Sequence, residues 1–79
     1  MNLSKYIVIN EHTLGCVIQK WNLPGDWYSI QILRASVLKG SPYSQMCGTI
    51  TVCPQREKIR PANSQDFQDY NVLPPKEFV

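Results

Sequence analysis

The chain has 79 residues, 43% of them apolar and 18% charged, with eight Lys and Arg against six Asp and Glu. That length allows one core and excludes two domains, while four Tyr, two Trp and two Phe supply bulk that a disordered chain lacks. A formal charge of +2 is too small for the broad positive field of a dedicated nucleic-acid binder.

The longest apolar run, residues 6–9, is far below the ~20 residues that cross a bilayer, and the N-terminus lacks the basic, apolar and small-residue order of a secretory signal. A soluble, cytoplasmic protein with no membrane contact is expected. Three cysteines, Cys16, Cys47 and Cys53, are an odd number and too few for a disulfide scaffold, which suits a reducing compartment.

Residues 3–9 are rich in β-branched and aromatic side chains, and the polar stretch 10–13 breaks the run, so a strand and a loop come first. Residues 16–21 and 27–33 then form a predicted hairpin around Pro24-Gly25, the two backbone restraints of a type II turn. Tyr28, Ile30 and Ile32 share the buried side of its second strand. The first strand is apolar on both sides, with Cys16 and Ile18 on one face and Val17 and Trp21 on the other, as expected where a sheet curls over or meets a partner. Residues 35–46, with Gly40 and Pro42 close together, predict a long loop.

Strict alternation returns at residues 48–52, with Ile50 and Val52 inward, and Pro54 ends that strand. A short strand follows at residues 58–60. Asn63 or Ser64 then caps a helix of about two turns, with Asp66 in its first turn, Phe67 and Tyr70 on one side, and Asn71 available for the left-handed conformation that ends it. Residues 72–75 leave as an extended segment. The whole chain, residues 1–79, is therefore expected to be one mainly β domain, a small SH3-like or OB-like five-stranded barrel with one short C-terminal helix.

Residues 13–33 resemble a KOW or SH3-like hairpin, through Gly15 opening a strand, the pair Val17 and Ile18, a turn, and the alternating Tyr28, Ile30 and Ile32. The resemblance implies a fold and no activity. Ile50-Thr51-Val52-Cys53 lacks the Gln and Tyr of the pore strand of the plasmid-borne type II dihydrofolate reductases, so that activity is not expected either.

Catalytic candidates are few. His12, the sole histidine, precedes Cys16 by four residues, but no third orienting group stands out, so a surface histidine beside a buried thiol is expected. His12, Cys16, Cys47 and Cys53 could supply four zinc ligands, yet Cys47 and Cys53 bracket a strand and would lie roughly 20 Å apart in extended chain. No metal or other cofactor is expected, and no disulfide between those two cysteines. Asp66 and Asp69 share a helix side, where solvation and capping explain them better than acid–base work.

Two binding surfaces remain. Trp21, Leu23, Pro24 and Trp27 frame the hairpin turn and suit a contact with another protein, although core packing is the stronger expectation for Trp21. Arg56, Lys58 and Arg60 alternate along residues 56–60, so an extended segment would project three cations from one face at spacings suited to a phosphate backbone; the same cations also guard an edge strand. The leading expectation is a non-enzymatic interaction protein, of the accessory or inhibitor kind that phage and mobile elements use to block a host complex. The alternative is a KOW-like or OB-like nucleic-acid binder using the basic strand. Homo-oligomerisation is compatible with both.

Overall fold

The computed structural model describes residues 5–44 and 48–76. Five strands form one antiparallel sheet: β1 (Tyr6–Ile9), β2 (Thr13–Lys20), β3 (Tyr28–Ala35), β4 (Thr49–Val52) and β5 (Ile59–Pro61), in the spatial order β4-β3-β2-β1-β5. Among the described residues one α-helix, α1 (Ser64–Asp69), follows. Strand number and helix match the expectation, but the barrel does not. β4 and β5 end the sheet on opposite sides, so it stays open, and the SH3-like or OB-like barrel is overturned. The two terminal strands have only four and three residues, too little ladder to close the sheet edge to edge.

The sheet buries both faces by different means. Ile7, Ile9, Tyr28, Ile30 and Val52 form one cluster, with Val17, Ile50 and Ile59 packed on it; none of these residues belongs to α1. Gly15 sits beneath this cluster because a side chain there would collide with Ile30 Cγ2. Val8, Leu14, Ala62, Phe67 and Tyr70 form the second cluster on the opposite face, joined by Tyr6, Leu33 and Val72. The Tyr6 and Phe67 rings meet edge to face at 5.6 Å, which seats α1 on β1.

Local signals explain the joints. Asn63 caps α1 in a reciprocal box with Asp66, satisfying two otherwise orphaned N–H groups, and Asn71 takes φ 56° just beyond the helix. Gly25 has φ 101°, as the position after proline in a type II turn requires. The β1–β2 connection is tighter than the polar stretch suggested. Asn10 and Glu11 both have positive φ, 49° and 57°, and the His12 N–H donates to the Ile9 carbonyl at 3.0 Å, so residues 9–12 make a type I′ turn and β2 starts at Thr13. Among the described residues no helix is long and apolar enough to cross a membrane.

Candidate functional site

The end of the β2–β3 hairpin carries the most exposed apolar surface that the sheet itself presents. β2 is buried at Thr13, Leu14 and Gly15 and is exposed from Ile18 onward. Among the described residues its last hydrogen bond on the β1 side runs from the Val17 N–H to the Lys5 carbonyl at 2.7 Å. Beyond that point, among the described residues, β2 pairs with β3 alone, and the cross-turn bond from the Trp21 N–H to the Trp27 carbonyl at 2.8 Å closes the hairpin.

A bulge decides which way Trp21 faces. Val17 lies opposite Ile30, but Gln19 lies opposite Ser29, so Ile18 is an extra residue that turns the rest of β2 over. Simple alternation puts Val17 and Trp21 on one face, which is why core packing was expected for Trp21. With the bulge, Val17 faces the Ile30 cluster, whereas Trp21 lies on the Ser29 side and donates its indole N–H to Ser29 Oγ at 2.6 Å. Trp21 is accordingly 39% exposed. Leu23, at 57%, and the bulge residue Ile18 are exposed in the same hairpin, as is Pro24. Trp27 is half-buried, its indole lying where a Cβ on Gly25 would reach it. Beneath the turn the buried Cys53 thiol donates to the Gly25 carbonyl at 2.6 Å. Three of the four expected contact residues thus point outward, and Ile18, hidden from simple alternation by the bulge, joins them.

The basic segment is arranged differently from the expectation. Arg56 lies in a turn, where its N–H and that of Glu57 donate to the Cys53 carbonyl at 2.9 Å; it is outside β5, so the three cations do not share one strand face. Arg60 is committed elsewhere. Its Nε and Nη2 grip Glu11 at 2.5 and 2.9 Å, and Nη1 and Nη2 grip Asp66 at 2.8 and 2.7 Å. These bonds hold the Asp66 and Glu11 carboxyls below the ordinary carboxylate range, in each case chiefly through the Arg60 guanidinium, and raise the Arg60 pKa in turn. Asp66 is buried, against the expected solvated helix surface, and its burial is compensated by Arg60 and by the Asn63 N–H at 2.8 Å. Arg56 and Lys58 remain exposed along an open groove of about 510 Å³ that also includes Glu11 and Glu57, so its charge is mixed. The Asn10 side chain spans this region, donating to Glu57 and accepting from the Lys58 N–H at 2.8 Å.

His12 is half-buried, its Nδ1 2.8 Å from Thr13 Oγ1, and Thr13 Oγ1 is 2.7 Å from Ser41 Oγ. Its ring meets Tyr43 edge to face at 6.1 Å. These contacts tie the loop after β3 to the start of β2. Cys16 and Cys53 are free thiols, Cys47 lies outside the described residues, and no three His, Cys, Asp or Glu side chains among the described residues converge as metal ligands would.

A second apolar exposure lies at the far end of β3. Val37 and Leu38 stand out, Leu38 at 100%, and Leu73 is exposed after α1. A cleft of about 250 Å³ runs between residues 34–38 and 69–71, and the Lys39 ammonium sits 4.3 Å from the centre of the Tyr70 ring. Val37-Leu38 inside a polar loop is the signal that periodicity reasoning passed over. No protein-family model, curated protein or solved structure matches the chain.

Proposed function

We propose that this chain is a non-enzymatic protein-interaction module that engages a larger partner through the end of its β2–β3 hairpin, in the manner of a small accessory or blocking protein. The observation that carries this reading is the bulge-directed exposure of Trp21, its indole fixed by Ser29, with Ile18 and Leu23 exposed nearby in the same hairpin. A large aromatic held in one orientation loses little conformational freedom on binding, which is why such residues dominate protein interfaces. The charged groups of the turn and its two flanking residues are few, Lys20 and Asp26, so desolvating this end costs little.

The nucleic-acid alternative retains Arg56 and Lys58 but has lost Arg60 to two carboxylates. Capture from a nuclease-treated lysate separates the readings. The protein-binding reading expects a partner retained after nuclease, lost with Trp21→Ala combined with Leu23→Ser, and kept with Arg56→Glu combined with Lys58→Glu. A partner that disappears with nuclease, or that follows the charge reversal instead, overturns it.

A further inference from the structure

The two edges of the open sheet differ in how well they are protected. On β5, the N–H of Ala62 donates to the Tyr6 carbonyl and that of Asn10 to the Lys58 carbonyl, so residues 58, 60 and 62 face β1 and residues 59 and 61 face outward. Pro61 has no N–H, and its carbonyl accepts from Arg60 Nη1 at 3.1 Å. The outer edge of β5 therefore offers one donor, from Ile59, and a proline and a bound arginine guard the rest.

On β4 the Ile32 N–H donates to the Gly48 carbonyl at 2.9 Å, and Ile30 lies opposite Ile50. Residues 48, 50 and 52 thus face β3, while the N–H and C=O groups of Thr49 and Thr51 point away from the sheet. No described strand lies beyond them. The strand Thr49-Ile50-Thr51-Val52 has no charge, no proline and no bulge, so its shortness is the one protection against edge pairing that the described residues show.

The side chains specify what would fit. Ile50, half-buried, packs on the Ile30 cluster, and Thr49 and Thr51 are exposed on the other face. Across from them on that outer face stand Gln31 and Ser29, so the surroundings are uncharged as well. An added strand must alternate a β-branched apolar residue with small uncharged polar ones, and β4 itself has that sequence.

We infer that β4 is a self-complementary edge that pairs antiparallel with β4 of a second copy, joining two sheets into one. In the two-fold register Thr49 faces the partner copy's Thr51 and the reverse, so these residues exchange four main-chain hydrogen bonds. Ile50 meets its own counterpart at the closely spaced central position, on the apolar side. This pairing goes beyond the hairpin reading and uses none of its exposed apolar residues Ile18, Trp21 and Leu23.

The test is mass in solution by sedimentation, over a concentration series, with amide exchange read at Thr49 and Thr51. The expected result is a mass rising from one chain toward two, with exchange at those two amides slowing in step. Thr51→Pro removes two of the four bonds by symmetry without touching the β3 ladder and is expected to weaken association by roughly tenfold or more. Thr49→Lys with Thr51→Lys places like charges opposite each other and is expected to leave a single-chain mass, with folding verified by circular dichroism; Thr49→Lys with Thr51→Glu is expected to restore pairing. A wild-type chain that keeps a single-chain mass throughout, a dimer indifferent to the lysine pair, or a dimer in which those amides exchange unchanged overturns the inference.

Discussion

At one end of β2 and β3 lie the turn of residues 9–12, β5 and α1, joined by charged and polar side chains; at the other lies the hairpin turn, whose exposed residues are mostly apolar. Arg60 alone links three elements, through Glu11 on the turn, its own strand and Asp66 on the helix, and Asn10 adds bonds to residues 57 and 58. The hairpin end has one side-chain hydrogen bond of comparable specificity on its surface, Trp21 to Ser29. The eight residues of β2 run between the two ends, a reach of about 26 Å in fully extended chain. The difference separates structural work from presentation. Buried charge is held where the helix must dock, and the apolar surface projects where few elements would be disturbed by a partner.

The largest effects should come from the first end. Phe67→Ala removes a fully buried ring that seats α1, and a loss of about 3–5 kcal/mol in chemical denaturation is expected, enough to release the helix from β1. Arg60→Met comes next. It leaves the buried Asp66 carboxylate with the Asn63 N–H as its remaining donor, yet the arginine is itself 38% exposed against 6% for Asp66, so about 2–3 kcal/mol is expected, below the usual loss for a fully buried pair. Neither substitution should alter the hairpin surface, so partner capture by the folded fraction should persist; its loss would show that the two ends are coupled.

The same clamp makes stability depend on acid. Glu11 and Asp66 have depressed pKa values in the folded state, so the unfolded chain takes up protons first as pH falls. Their contribution is complete above the ordinary carboxylate range and disappears as pH drops through it toward the folded values. Denaturation midpoints measured from neutral to acid pH should therefore fall for the wild type and fall less steeply for Arg60→Met. Equal slopes would mean that the clamp contributes nothing to acid sensitivity.

Much of this architecture is legible in the residues. Pro24-Gly25, the alternation of Tyr28 and Ile30, Pro54, and the Asn63, Asp66 and Asn71 signals around α1 each name a local geometry that the chain adopts, because each constrains its own backbone. What escapes is set by contacts between distant segments. The open sheet depends on how long β4 and β5 can pair, the burial of Asp66 on an arginine in another element, and the outward turn of Trp21 on one extra residue in β2. Periodicity assumes an unbroken strand, and a bulge at Ile18 reverses every assignment after it. The alternating cations at 56–60 failed for a related reason: the backbone leaves the extended conformation before Arg56.

The smallest effect tests whether the hairpin end is built for presentation. Ser29→Ala removes the acceptor of the Trp21 indole while leaving the β3 backbone ladder intact. Because the indole is exposed, water can take the place of the hydroxyl, and folding stability should change by less than about 0.5 kcal/mol. One of the two indole N–H resonances should shift, and the ring should gain rotamer freedom that a partner would have to remove. Affinity for the captured partner should then weaken by about threefold, a small fraction of the loss from Trp21→Ala. An unchanged affinity with a shifted resonance would show that Trp21 contributes area without a fixed orientation, and the bulge would then matter only for the face on which it emerges.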